Sequence, residues 1–275
     1  MANYTAADIK ALREKTGAGM LDVKKALDAA DGDQAAAAEA LRLKGIKGAT
    51  KREGRSTSDG LIATHVENGV GTIIEFNSET DFVAKSDKFI ELANQILDLA
   101  VANNAADAAS FLAVEVDGKP VSQIITEGGA SLGEKVELKR VARIEGQHVE
   151  SYLHRTNKDL PPQVGVLLAY EGDDQAVAHD VAVHIAALTP KYFSREDIPA
   201  EIVEHERQVL TELTKNEGKP EAALPKIVEG RLNGFYKENA LLDQGFAKDP
   251  KVSVGKILSD AGLKATGFLR FRVGN

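Results

Sequence analysis

The feature that most restricts what this chain can fold into is a change of hydrophobic period that happens twice. Residues 61–66 and 71–76 alternate like strands and are joined at Asn68-Gly69. That dipeptide between apolar runs signals a hairpin, because both residues tolerate the positive φ of a type I′ turn. A helix follows from about Ala84 to Ala102, with Phe89, Leu92, Ala93, Ile96 and Leu97 on one face. The order then returns. Val149 to His154 and Val164 to Tyr170 read as strands, and a helix from about Asp174 to Leu188 turns Val177, Val181, Ile185 and Leu188 inward. Strand, strand, helix, each time with a short polar loop before the helix, reads as an internal duplication and not as a short-period solenoid. Val136 to Ala142 also alternates and is expected to join the second unit.

Three short helices precede this pattern. Thr5 and Asp8 form a capping box ahead of Ile9 and Leu12, and Thr16-Gly17-Ala18-Gly19 stops that helix. Leu21, Val23, Ala26 and Leu27 mark a second helix that ends near Gly32; Asp33 caps a third from Gln34 to Lys44, ending at Gly45. So small a bundle is a docking module with a marginal core of its own. Lys47, Lys51, Arg52 and Arg55 then sit among Gly, Thr and Ser, as in a solvated tether or a contact surface for an acidic partner. Further on, Ser194 caps a long charged helix running through Ile198-Pro199 to Lys215, and a second helix spans about Glu221 to Asn239. Ile202, Val209 and Leu213 are expected to face Ala223, Ile227, Val228 and Leu232 in an antiparallel hairpin. A short helix (Val254 to Ala261) and a strand (Thr266 to Val273) close the chain. The fold class is α+β with antiparallel sheets. The divisions fall at 1–46, 47–59, 60–145, 146–189 with 246–275, and 190–245 for the inserted hairpin.

Composition narrows the chemistry. The chain has 275 residues and no cysteine, which removes disulfides, thiolate nucleophiles and Cys-based metal sites. Its net charge of −8 argues against broad nucleic-acid binding. No apolar run approaches the roughly 18 residues that span a bilayer, and the start has no basic segment followed by an apolar one; the expectation is a soluble, cytoplasmic protein with no membrane partner. Phosphate-loop, dinucleotide and Gly-x-Ser-x-Gly motifs are missing, and no cofactor is expected. His179 and His184 are not spaced i, i+4, so zinc is not expected. Glu75, Glu79 and Asp81 lie close in sequence, as acid–base or Mg²⁺ ligands do, but no basic or nucleophilic partner accompanies them, which favours an exposed loop with a helix cap. Phe82 follows at a strand-to-helix turn. Burial habits favour a ring tucked into the core, an exposed ring would be an anchor for a partner, and residue chemistry leaves both readings open.

Thr16-Gly17-Ala18-Gly19-Met20 with Asp22 and Lys24-Lys25-Ala26-Leu27 resembles the opening of bacterial elongation factor Ts. So do residues 77–84 (Asn77 to Ala84), Gly133-Glu134 before Arg140-Val141-Ala142, Ser151 to His154, Gly165-Val166-Leu167, Val228 to Arg231, Val252 to Gly255 and Phe268 to Phe271. The resemblance runs in order along essentially the whole chain. It implies a small ubiquitin-associated-type (UBA-like) helical domain, a duplicated α+β core, a projecting helical hairpin, and release of GDP from elongation factor Tu without covalent chemistry. It also implies that Thr80, Asp81, Phe82 and Val83 form the segment that presses beside the partner's Mg²⁺ site. Arg13, Met20 and Lys24 would hold the same GTPase domain. Arg52 stands where the family often has Lys, and Leu132, Gly133 and His154 would make further contacts. A homodimer through the hairpin is left open. Several members carry a further helix beyond the position of Asn275, and the loop from Arg155 to Gln163, with Pro161-Pro162, is longer than in some. Two rival readings remain: an adaptor or chaperone using its helical module without nucleotide exchange, and a metal-dependent hydrolase on Glu75, Glu79 and Asp81.

Overall fold

The computed structural model describes the backbone of residues 3–274, with the side chains of all of these except 46, 47 and 49–51. In chain order the elements are α1 (Ala6–Thr16), α2 (Met20–Ala29), α3 (Gln34–Arg52), β1 (Asp59–Glu67), β2 (Val70–Ser78), α4 (Asp81–Ala84), α5 (Asp87–Ala102), α6 (Ala108–Leu112), β3 (Glu115–Val116), β4 (Lys119–Pro120) and α7 (Val121–Leu132). There follow β5 (Val136–Glu145), β6 (His148–His154), β7 (Val164–Glu171), α8 (Gln175–Leu188), α9 (Ala200–Asn216), α10 (Leu224–Asn239), β8 (Gly245–Phe246), β9 (Asp249–Ser253), α11 (Val254–Asp260) and β10 (Lys264–Arg272).

The first three helices form as their sequence dictates. Thr5 and Asp8 make the capping box, Gly17 ends α1 in the left-handed region at φ 70°, and Leu12, Val23, Leu27, Ala37 and Leu41 close a small core. The third helix is longer than expected. It does not stop at Gly45 but runs to Arg52, so half of the supposed basic linker is helical. Gly45 is a point of close approach and not a cap: a Cβ there would meet the Ala130 Cβ at 2.8 Å. A glycine inside a helix costs only about 1 kcal/mol against alanine, and packing against α7 outweighs that.

The two strand pairs build two antiparallel three-stranded sheets. In the first, Asn68 (φ 52°) and Gly69 (φ 75°) make the tight turn between β1 and β2. The strand order is β1-β2-β5 in this sheet and β10-β7-β6 in the other. Thus β5 belongs to the first unit, contrary to the expectation from its sequence. Its alternation suits either sheet, but α7 returns the chain to the open edge of β2, where Val136, Leu138 and Val141 meet the first core.

That first core lies between α5, α7 and the first sheet, and includes Leu61, Ile74, Phe76, Phe89 and Ile96. A second core joins β7 to α8 and α11 through Val166, Leu168, Val181, Ile185 and Leu258. The opposite faces of the two sheets meet at Ile62, Ile73, Leu167 and Phe271. Both faces of β2 and β7 are therefore buried, which accounts for the continuous apolar run of β7. Gly165 permits the close approach, since a Cβ there would meet the Ile62 Cγ2 at 2.4 Å. Leu188, assigned inward from its spacing, is 45% exposed at the end of α8.

The inserted hairpin also departs from expectation. Ser194 caps a short 3-10 turn at Arg195–Asp197, and α9 starts afresh after Pro199. Ile202, Val209 and Leu213 do not line the seam but point outward, 38%, 47% and 48% exposed. Among the described residues no helix is long and apolar enough to cross a membrane.

Candidate partner-binding site

The segment between β2 and α5 is a braced turn. Asp81 to Ala84 form a single helical turn, so the helical region begins earlier than Ala84 and breaks before Ser86, which caps α5. Thr80 is the N-cap: its hydroxyl accepts from the Val83 N–H at 3.4 Å and donates to Glu134 Oε1 at 2.6 Å. The Thr80 N–H donates to Glu134 Oε2 at 3.0 Å. Val83 and Ala84 turn into the first core. Val83 is thus a fixing residue of the turn, whereas Phe82 stands out from it, 73% exposed. Its only aromatic or cationic neighbour among the described residues is Lys85, whose Nζ lies 4.4 Å from the ring centroid. Lys85 Nζ also reaches the half-exposed Asp81 carboxylate at 3.4 Å.

The three neighbouring carboxylates do not converge. Glu75 is fully buried, not on an exposed loop; it accepts from Arg140 Nε at 2.6 Å, from Asn77 Nδ2 at 3.2 Å and from the Gly274 N–H at 3.0 Å. Glu79 accepts from the Lys135 N–H at 2.6 Å and from Arg55 Nη1 at 3.0 Å. Burial pushes the Glu79 pKa up, but the Lys135 N–H and the Arg55 guanidinium outweigh it, and the net shift is downward. Asp59 behaves oppositely. Burial raises its pKa, and the charges of Asp81 and Glu134 raise it further. The geometry does not support the hydrolase reading: Glu75 and Glu79 are each bonded to their own donors, and Asp81 stands apart from them, half exposed beside Lys85. Among the described residues, no group of three or more His, Asp or Glu is arranged to hold a metal ion.

The remaining sequence-assigned residues fall into three places. Arg13 on α1 and Met20 and Lys24 on α2 are exposed, Met20 at 61%. Arg52, Leu132 and Gly133 line one cleft of about 710 Å³ between the N-terminal helices and α7, together with Thr16 to Gly19. Leu132 also packs on the first core, and Gly133 ends α7 at φ 81°. His154 is exposed at the end of the edge strand β6, its Nδ1 3.1 Å from the Tyr152 hydroxyl. A groove of about 340 Å³ runs from Lys85, beside Phe82, to Leu153 and Arg155, which flank His154. The Pro161-Pro162 loop forms its wall and is pinned by the Ile62 N–H donating to the Pro162 carbonyl at 2.8 Å. Neither Phe82 nor His154 lines this groove: Leu153 and Arg155 face it, and His154 between them turns to the other face of β6, beside Tyr152. Glu134, beside Gly133, ties the α7 end to Thr80.

Sequence reasoning did not assign Lys85, Glu134 or Arg55 to this turn, although Glu134 lies in the Gly133-Glu134 motif and Arg55 in the basic stretch. Lys85 was legible in principle, four residues after Asp81 on a helix. Glu134 and Arg55 carried no local signal of these bonds, since their partners lie 54 and 24 residues away.

An exposed aromatic on a braced turn, with Lys85 beside it, and the Glu75 and Glu79 carboxylates bonded to internal donors describe a surface feature and not a catalytic pocket. The sequence model for "Elongation factor TS" matches residues 79–275. Among curated proteins, the elongation factor Ts of Renibacterium salmoninarum is 65% identical, that of Kocuria rhizophila 64% and that of Paenarthrobacter aurescens 62%, each over the full length of both chains. This chain belongs to the elongation factor Ts family.

Proposed function

We propose that this chain is a guanine-nucleotide exchange factor of translation elongation in the cytoplasm. It binds elongation factor Tu in the GDP-bound and nucleotide-free states and speeds the release of GDP. The family assignment supports the activity, and the exposure of Phe82 on a fixed turn supports its location on the chain. In this reading Phe82 enters the GTPase domain as a wedge beside the Mg²⁺ that the partner holds, while Asp81 perturbs the charged neighbourhood. Mg²⁺ bridges phosphate oxygens and protein groups, so disturbing its setting loosens the nucleotide. Linkage sets the thermodynamics: whatever factor the protein takes from GDP affinity, GDP takes from the affinity for the protein. The chain needs no cofactor and makes or breaks no covalent bond.

Residues 1–46 serve as a UBA-like docking domain, with Arg13, Met20 and Lys24 on the GTPase domain. Residues 47–59 join it to the core, and Arg52, Leu132, Gly133 and His154 add contacts. Residues 60–145 form one copy of a duplicated core unit, and residues 146–189 with 246–275 form the other. The common plan of the two sheets supports this, each a hairpin followed by a helix, with a third strand on the free edge of the hairpin's second strand. The inserted hairpin, 190–245, is a surface for a second copy. An adaptor working through the helical domain alone leaves the Phe82 turn without a task.

The test is GDP release from elongation factor Tu with Phe82→Ala. An exposed aromatic anchor is worth roughly 2 kcal/mol or more at an interface, so the expected loss of acceleration is about thirtyfold or greater. Folding stability should move by no more than about 0.5 kcal/mol. Undiminished acceleration by a folded variant sinks the wedge.

A further inference from the structure

The site just described leaves open what aims the Phe82 ring. A four-residue helix has no stability of its own. Phe82 is largely exposed, with Lys85 over its ring, and Asp81 is half exposed, so the direction of both side chains follows from how Thr80, Val83 and Ala84 are held. Val83 and Ala84 are packed by the core. Thr80 is held by something less ordinary.

The last rung between β2 and β5 pairs Ser78 with Val136. Continued in the same register, Glu79 would face Lys135 and Thr80 would face Glu134. No strand exists there, because one chain turns into α4 and the other leaves the Gly133 end of α7. Side chains take over the ladder. The Lys135 N–H donates to the Glu79 carboxylate at 2.6 Å, and the Thr80 N–H donates to the Glu134 carboxylate at 3.0 Å. Glu134 adds a second bond from the Thr80 hydroxyl at 2.6 Å, which uses up the hydroxyl proton and leaves its lone pairs for the Val83 N–H. The Thr80 carbonyl is also engaged, by the Ala84 N–H at 3.1 Å and by Ser78 Oγ at 3.0 Å. Every polar atom of the cap residue is thereby fixed, and one carboxylate from another element fixes two of them.

We propose that Glu134 is a positioning residue for exchange: its carboxylate locks the Thr80 cap and so aims Asp81 and Phe82, without itself meeting the nucleotide site. The inference rests on the exchange reading above. Because Glu134 follows Leu132-Gly133 directly, any partner contact that shifts the end of α7 also moves the wedge.

The experiment measures GDP release from elongation factor Tu by full-length Glu134→Ala and Glu134→Gln, each alone and combined with Phe82→Ala. Affinity for the nucleotide-free partner is measured in parallel. Glu134→Ala should lower the saturating release rate roughly tenfold, while the Kd for the nucleotide-free partner stays within about threefold. Glu134→Gln should lose less, since its amide keeps one acceptor oxygen and still packs in place. In the Phe82→Ala background neither substitution should lower the rate further, the signature of two residues acting through one wedge. Amide hydrogen exchange should show Thr80 protected in the parent chain and unprotected in Glu134→Ala. A folded Glu134→Ala with the parent release rate overturns the proposal, and so does an equal fractional loss with and without Phe82. The parent release rate from Phe82→Ala itself is a different failure: it removes the wedge reading, and the positioning role with it.

Discussion

His184 is held neutral by its surroundings. It is fully buried on α8, its Nε2 lies 2.9 Å from Gln244 Oε1, and its Nδ1 accepts from the Ala247 N–H at 3.1 Å. An Nδ1 that accepts carries no proton, so the proton sits on Nε2 and is donated to Gln244. Burial pushes the pKa below the ordinary 6.5, and the Gln244 bond only partly opposes this. The sign of the linkage follows. Below 6.5 the unfolded chain binds a proton that the folded chain refuses, so stability is complete above that value and is lost as pH falls. One such group contributes a slope of at most about 1.4 kcal/mol per pH unit. Thermal melts between pH 7.5 and 5 should show the midpoint falling, and His184→Leu should be less stable at pH 7.5 yet show a shallower fall. An unchanged slope in the variant would assign the acid lability to other groups. Such a histidine cannot be recognised in the sequence, because Gln244 and Ala247 lie 60 and 63 residues away. Phe82 was illegible for a related reason: whether a ring at a strand-to-helix turn points in or out depends on which neighbours, here Val83 and Ala84, fill the core first.

At the scale of elements, the periodic patterns were read well and their partners were not. The Asn68-Gly69 hairpin carries its own instructions, since the turn residues fix both pairing and register. The α9–α10 hairpin does not. Helix α9 bears two stripes at helical spacing, Ile202-Val209-Leu213 and Val203-Leu210-Thr214, and hydrophobicity favours the first. The second faces α10. Thr214 is fully buried because its hydroxyl donates to the Leu210 carbonyl at 2.6 Å, and the seam is closed by Arg207–Glu229 at 2.9 Å and Arg231–Glu217 at 2.6 Å. These ion pairs are partly exposed and worth little individually, and Arg207 lies on the same face of α9 as the buried Thr214. The outer stripe is then free for another copy of the chain. On the proposed self-association through the hairpin, the parent chain should show a concentration-dependent dimer by sedimentation velocity, and Val209→Glu with Leu213→Glu should sediment as a monomer. Stability should change by no more than about 0.5 kcal/mol, since both side chains are already half exposed. A double variant that sediments like the parent chain removes the hairpin from self-association.

At the scale of the molecule, the N-terminal helices are docked on the core where the sequence suggested a tether. Helix α3 runs alongside α7, Arg42 bonds Glu127 at 2.7 Å, and Lys88 Nζ on α5 reaches the Glu14 carbonyl at 3.5 Å. The chain between α3 and β1 is pinned as well: Thr57 Oγ1 donates to Glu137 at 2.8 Å, and Asn77 Nδ2 donates to the Thr57 carbonyl at 3.2 Å. The decisive contacts are glycines, which composition reads as flexible. A Cβ at Gly17 would fall 2.6 Å from the Ser131 carbonyl oxygen, and one at Gly45 would fall 2.8 Å from the Ala130 Cβ. Docking packs the helices that carry Met20 and Lys24 against the core that carries Phe82, so the proposed contacts would need no linker to be ordered first. Gly45→Leu separates docking from folding, because its two effects have opposite signs. Leucine is the better helix former by about 0.8 kcal/mol, so α3 itself gains; at the α7 contact the larger side chain has no room, and overpacking costs about 1–3 kcal/mol. The expected protein keeps its helical content and the melting of its core, becomes larger in radius of gyration by X-ray scattering, and is cleaved faster by protease at Arg52 and Arg55. Its affinity for elongation factor Tu should fall severalfold, with the saturating GDP release rate retained, because the Phe82 turn is untouched while its companion contacts are no longer held in place. A compact, protease-resistant Gly45→Leu protein would mean that the ion pairs, not the glycine contacts, carry the docking.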